Sequence, residues 1–402
     1  MSKPRCHSHA LRLSSSSSHS RRVDFCRSFG SDQGTSNHKL MAETIGEVSS
    51  LLPSADILLA RRVQELALNH EQPAHLYISR NDDDDDEPRR DGIPSEIPVI
   101  DLSKASPSDT DPSHDHRQEL HNLRSALSEW GCFQAIGHGV PSSCLDEARR
   151  VTREFFQLPM DEKKKVAKGV EEMEGYGADP VPAKGQFLDW SDRLYVEVFP
   201  EHRRKPEFWP ENPPSFRVML EDYMTKMRMM TEQVSRAMAR SLDLEDDCFL
   251  DLFGKGALLQ GRFNYYSPCP RPDLILGLKP HTDGTSFTVI MQDAEGLQVM
   301  RENRWITVPT KPDTLLVLMG DQMEIMSNGI FKPPLHRVLT HSHGDRISIA
   351  AFYSPEPHKE IGPADGLINE ARPKAYKNMK DYADIHWGYY QKGSRAIHEA
   401  KV

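Results

Sequence analysis

From Leu258 onward the chain is written in short apolar, β-branched runs separated by Gly, Asp, Asn and Pro, at 258–266, 285–291, 296–300, 304–308, 314–319, 335–340 and 346–353. Runs of this length, broken by turn formers, are too short for ordinary helices and read as the strands of an all-β unit, about eight in number. The earlier part has a different pattern. Apolar residues at helical spacing predict helices from Ser54 as N-cap through Leu58, Val63 and Leu66, then over 116–130, 142–158 and 215–242. Short strands are expected at 98–102 and Cys132–Ile136, irregular chain over 103–115 and 159–214, and a last helix over 376–390. The stripe Met219, Tyr223, Met227, Met230, Val234 and Met238 falls near one face of the long helix and reads as core. Helices flanking a mostly antiparallel barrel make an α+β fold.

Charge and cysteine content narrow the function class. The net charge is −10, the wrong sign for a nucleic-acid surface. Part of that excess is one acidic tract at 82–87, read with Gly92-Ile93-Pro94 as a solvated linker. The six cysteines, at 6, 26, 132, 144, 248 and 269, form no C-x-x-C pair, which argues for a reducing compartment and against a thiolate zinc site. No apolar run approaches the roughly 20 residues needed to cross a bilayer, so a soluble, cytoplasmic monomer without membrane or nucleic-acid partners is expected. Residues 1–40 hold eleven serines, seven Lys/Arg and two acids. They read as a disordered extension, as sequence preceding a true start at Met41, or as a plastid transit peptide.

The chemistry-bearing residues lie in the β part. His281 and Asp283 are two apart, so on an extended strand they point to one face. His336, far downstream, completes two imidazoles and one carboxylate, the set that leaves coordination positions open in non-haem Fe(II) oxygenases. The same three ligands would also hold a hydrolytic zinc. Arg346 and Ser348 decide between them. A guanidinium is a planar fork for a carboxylate, and Ser348 adds a hydroxyl on the same face. An anion seat at a fixed distance from a metal suits a two-ended ligand such as 2-oxoglutarate. The segment 341–345 is expected to be a hairpin loop bringing Arg346 beside the His336 strand.

These residues sit within a longer ordered set: Ile97-Pro98-Val99-Ile100-Asp101-Leu102, Gly131-Cys132-Phe133-Gln134, His138-Gly139-Val140-Pro141, Asn264-Tyr265-Tyr266, His281-Thr282-Asp283-Gly284, Ser327-Asn328-Gly329, His336-Arg337-Val338 and Arg346-Ile347-Ser348. From about residue 94 to 400 the chain resembles the plant 2-oxoglutarate- and Fe(II)-dependent dioxygenases of specialised metabolism and hormone turnover. The resemblance implies a double-stranded β-helix, or jelly roll, flanked by helices. It implies Fe(II) on His281, Asp283 and His336, and 2-oxoglutarate on Arg346, Ser348, Tyr266 and Asn264. O2 is then a cosubstrate and ascorbate a supporting reductant. Departures from the family pattern are Lys332-Pro333-Pro334 and Ser267-Pro268-Cys269; neither removes a ligand. The expected organisation is an extension at 1–40, a helix and acidic linker at 41–95, an N-terminal dioxygenase region at 96–214, a support helix at 215–255, the jelly roll at 256–356 and a helical C-terminal segment at 357–402.

The implied reaction decarboxylates 2-oxoglutarate to succinate and CO2 while oxidising a substrate C–H bond. Hydroxylation, O-demethylation and desaturation differ only in the fate of the substrate radical, which substrate pose decides. The expected substrate is a small, largely apolar metabolite, a flavonoid, coumarin, alkaloid, indole or hormone-like acid. Phe352, Tyr195 and Phe187, with residues of the 215–242 helix, are candidates for its pocket. The rival readings are an oxidase or cyclase of the same fold that dispenses with 2-oxoglutarate, and a catalytically silent small-molecule sensor.

Overall fold

Alternation with a period of two is what divides the β part into an outer and an inner face. The computed structural model describes residues 62–69, 71–79, 96–106, 114–169, 172–179 and 186–402. Among them the helices are α1 (Val63–Leu68), α2 (Leu102–Ala105), α3 (His114–Glu129), α4 (Ser142–Gln157), α5 (Met160–Lys164), α6 (Phe216–Ser241), α7 (Cys248–Phe253), α8 (Asp321–Met326) and α9 (Tyr382–Tyr390). The strands are β1 (Val99–Asp101), β2 (Cys132–Ile136), β3 (Gly175–Gly177), β4 (Asp192–Phe199), β5 (Leu258–Tyr266), β6 (Leu276–His281), β7 (Phe287–Gln292), β8 (Leu297–Arg301), β9 (Arg304–Thr307), β10 (Leu315–Met319), β11 (His336–Leu339) and β12 (Arg346–Ser354).

They form two sheets. The large one runs β1-β2-β10-β7-β12-β5-β4-β3 and the small one β6-β11-β8-β9. Only β1 and β2 pair in parallel. On the outer face of the large sheet, Phe263, Val289, Val317, Ile349 and Ala351 join one core with Met219, Tyr223, Met227 and Met238 of α6. The methionine stripe is therefore core, as its spacing predicts. On the inner face, Tyr266, Ile290, Leu316, Leu318 and Ala350 pack with Leu297, Val299 and Val338 of the small sheet. Two largely antiparallel sheets closing over a shared interior make the jelly roll.

Several elements differ from expectation. The stretch 159–214 is not uniformly irregular: it holds α5, β3 and the eight-residue β4, which pairs with β5. Asp192, Arg193 and Glu197 break its apolar pattern, and all three are buried. β6 escapes sequence reading because Gly277, Lys279 and Pro280 interrupt it. Residues 102–105 are helical where the last strand residue and then loop were expected, with Asp101 accepting the Ser103 N–H as N-cap. The last helix starts at Tyr382 rather than 376. The segment 341–345 is not a hairpin loop. β11 pairs with β6 and β8, whereas β12 lies between β5 and β7, so the segment crosses from the small sheet to the large one. The helix expected from Ser54 is seen only in its later part, as α1. Its start, the acidic tract and residues 1–40 lie outside the described residues. Among the described residues, no helix is long and apolar enough to cross a membrane.

Candidate active site

The two imidazoles come from directly opposed positions on neighbouring strands. β6 ends at His281, β11 begins at His336, and the two residues are register partners, with ring centroids 4.2 Å apart. Asp283 follows two residues beyond the end of β6. Its backbone is pinned by the Asp321 N–H, which donates to Asp283 O at 2.8 Å. Gly320 allows this approach: a Cβ there would lie 2.1 Å from Thr285 O. His281 Nδ1 lies 2.7 Å from Lys279 O, and His336 Nδ1 3.2 Å from Pro334 O. A carbonyl can only accept, so each Nδ1 carries the proton and each Nε2 offers its lone pair. Both Nε2 atoms lie 3.6 Å from Asp283 Oδ1. Thr288 Oγ1 donates to the other oxygen, Oδ2, and so turns Oδ1 toward the imidazoles.

The electrostatics suit a cation. Burial opposes ionisation of Asp283, but His336, His281 and the Thr288 hydroxyl outweigh it and hold the carboxyl below the usual range. Burial, followed by the like charge of His281, pushes His336 down to about 4, so it is neutral at pH 7. Ligand atoms of the three residues lie within 4.8 Å of one another, the only such metal-competent group among the described residues. This donor set fits Fe(II).

The large sheet supplies the facing wall. Arg346 pairs with Tyr266 and Ser348 with Asn264 across β12 and β5. Asn264 Nδ2 donates to Ser348 Oγ at 3.2 Å, and the Arg346 guanidinium lies over the Tyr266 ring, 4.9 Å from its centroid. Arg346 Nε donates to Ala294 O at 2.9 Å and Nη2 to Gln292 Oε1 at 2.8 Å. Nη1 is buried and has no protein partner. His281, Asp283, His336, Arg346, Ser348, Tyr266 and Asn264 all line one cavity of about 160 Å³. An unpaired buried guanidinium N–H is costly, and a ligand carboxylate in that cavity would satisfy it.

Known proteins share this arrangement. A family model for the 2OG-Fe(II) oxygenase superfamily matches residues 260–355, and one for the non-haem dioxygenase in morphine synthesis N-terminal region matches residues 97–212. Codeine O-demethylase of Papaver somniferum is 39% identical over 293 residues, covering 72% of this chain and 80% of that protein. A flavonol synthase/flavanone 3-hydroxylase of Eustoma exaltatum subsp. russellianum is 35% identical over 347 residues, covering 85% and 96%. The crystal structure of JOX2 in complex with 2OG, Fe, and JA superposes with a TM-score of 0.74 at 31% identity, over 85% of this chain and 98% of that one. The chain belongs to the 2OG-Fe(II) oxygenase superfamily. It is an Fe(II)- and 2-oxoglutarate-dependent dioxygenase with a jelly-roll core.

The rest of the oxygenase cavity matches the sequence reading in part. Phe352 and Tyr195 line it and stack on each other, with centroids 6.2 Å apart and planes at 29°. Phe187 does not line it, and neither does α6, which lies on the opposite face of the large sheet. α9 takes their place. His386, Trp387 and Tyr390 form one wall; Trp387 stacks on Tyr390 at 5.3 Å, and Tyr390 meets the His281 ring edge-on at 5.4 Å. His386 Nε2 lies 2.8 Å from Thr282 O, tying α9 to the loop that carries Asp283. The run His386-Trp387-Gly388-Tyr389-Tyr390 was the available signal, since so many rings in one short helix exceed what packing alone needs. Arg262 also lines the cavity, and its guanidinium is occupied by Asp179, at 3.1 and 2.9 Å, and by Asn264.

Proposed function

We propose that His281, Asp283 and His336 hold Fe(II), that Arg346 and Ser348 seat the distal carboxylate of 2-oxoglutarate, with Tyr266 and Asn264 beside it, and that the substrate is a small, largely apolar plant metabolite. One observation carries the reading: an unpartnered Arg346 Nη1 lines the same cavity as two lone-pair-bearing Nε2 atoms and a carboxylate oxygen. When bound, Fe(II) with 2-oxoglutarate and O2 supplies oxidative decarboxylation to succinate and CO2, coupled to oxidation of a substrate C–H bond. The protein's part is placement. Arg346 and Ser348 fix one end of the cosubstrate, and His281, His336 and Asp283 would hold the metal to which its other end binds. The Tyr195–Phe352 pair and Trp387 offer flat apolar walls to a ring-bearing substrate. Relatives named for codeine and flavonols, and the JOX2 structure in complex with JA, support an alkaloid, flavonoid or hormone-like substrate, with coumarins and indoles as further flat-ringed candidates. Free thiols at Cys132, Cys144, Cys248 and Cys269 support a reducing compartment such as the cytoplasm, and the protein acts as a monomer.

The test is metabolite profiling with purified protein, Fe(II), ascorbate and 2-oxoglutarate. The expected outcome is succinate release matched by one oxidised product from a plant extract. Oxidation without succinate would assign the protein to the oxidases of this fold. Cosubstrate binding with no oxidation of any kind would make it a sensor.

A further inference from the structure

Arg346 is aimed by groups outside its own strand. The end of β7 and the turn after it take two of its nitrogens, through Gln292 Oε1 and Ala294 O, so the direction of Nη1 depends on where that corner sits. Asp293, between those two residues, anchors the turn. Its Oδ1 accepts the Ile347 N–H at 2.9 Å, and its Oδ2 accepts from Arg153 Nη2. Arg153 belongs to α4. Its Nη1 donates to Asp345 Oδ1 at 2.7 Å, and Asp345 Oδ2 accepts the Tyr265 hydroxyl at 2.6 Å. A single guanidinium thus ties the end of β7 to the start of β12 and, through Tyr265, to the end of β5. Those three strand ends meet where Arg346 leaves the backbone.

We propose that Arg153 is a positioning residue for 2-oxoglutarate: it occupies Asp293 and Asp345 so that Arg346 keeps a free N–H for the cosubstrate carboxylate. This rests on Arg346 being the carboxylate seat. The Asp293 and Asp345 side chains are only 13% and 24% exposed. Water therefore screens them poorly, and each needs a cation. With Arg153 present, Arg346 is spared that duty. Without it, Asp293 is one residue from both Arg346 acceptors and already within reach of the Arg346 charge. It would then draw the guanidinium off the cavity and compete with 2-oxoglutarate for it. The metal ligands sit on β6, β11 and the loop after β6, outside this brace, so the effect falls on cosubstrate affinity alone.

The experiment uses the full chain with Arg153→Gln, Arg153→Lys, Arg153→Gln/Asp293→Asn and Arg346→Lys. The readouts are the Kd for 2-oxoglutarate by anaerobic calorimetry with Mn(II), the Kd for Mn(II) itself, and KM and kcat for uncoupled succinate formation. Arg153→Gln is expected to raise Kd and KM for 2-oxoglutarate about tenfold, with kcat and Mn(II) affinity within about twofold of wild type. Arg153→Lys should recover part of the loss, and the double variant most of it, because the competing carboxylate is gone. An unchanged Kd for 2-oxoglutarate in Arg153→Gln, alongside a weakened Arg346→Lys, overturns the brace and leaves the seat standing. An unchanged Arg346→Lys overturns the seat. Equal loss of Mn(II) and 2-oxoglutarate binding that Asp293→Asn does not rescue reduces Arg153 to a purely structural tie and also overturns the proposal.

Discussion

Thr288→Val tests whether the carboxylate, and not only the ligand set, is built for a metal. Thr288 is fully buried on β7, and its hydroxyl donates to Asp283 Oδ2. Valine matches threonine in shape, so packing is nearly unchanged and the main loss is one hydrogen bond to an ionised group, worth about 1.5–3 kcal/mol. At ~1.4 kcal/mol per decade that is a 10- to 150-fold loss in affinity if the bond matters only with metal bound. It also stabilises the carboxylate without metal, which it helps hold below the usual range. That second role favours the lower end, about tenfold, in line with the loss typical of groups that orient metal ligands. Calorimetric titration of Mn(II) into metal-free protein measures it, with Thr288→Ser as the control that keeps the hydroxyl. Wild-type Mn(II) affinity in Thr288→Val would refute the reasoning, and so would an equal loss in Thr288→Ser.

Three further outcomes are expected. Ala at His281, Asp283 or His336 abolishes turnover while far-UV circular dichroism stays native; oxidation retained by any one of the three removes that residue from the ligand set. Trp387→Ala opens the cavity wall formed by α9, so product formed per 2-oxoglutarate consumed should fall severalfold with little change in cosubstrate KM; unchanged coupling would detach α9 from substrate positioning. Asp192 Oδ2 accepts the Gln64 N–H at 2.8 Å while Oδ1 has no partner, and burial pushes its carboxyl from 3.8 up to about 6. A raised acid favours the protonated fold, so its contribution is full below about pH 4 and is lost as pH rises through about 6. Asp192→Asn should therefore gain about 1–3 kcal/mol relative to wild type between pH 4.5 and 7.5 in urea unfolding, and a flat or falling difference would contradict this.

The residues themselves determined much of this protein. The turn-punctuated runs after Leu258 marked most strands of the jelly roll. The helical spacing of Met219 to Met238 marked a core face. His281, Asp283, His336, Arg346 and Ser348 were legible because each lies in a short motif whose residue types suit one chemistry. β4 and β6 were not legible, since buried Asp192, Arg193 and Glu197 and the Gly277–Pro280 interruption erase the apolar pattern. Neither was the path of 341–345, which leaves the small sheet for the large one, so that Arg346 faces the imidazoles from the opposing sheet. Tertiary structure alone put α9 rather than Phe187 and α6 on the cavity, and drew Thr288 to Asp283 and Asp293 and Arg153 to the base of Arg346. Side-chain periodicity states which residues share a face of one strand. Which strands become neighbours, and what faces them across the barrel, is decided by long-range pairing and packing, which no local pattern encodes.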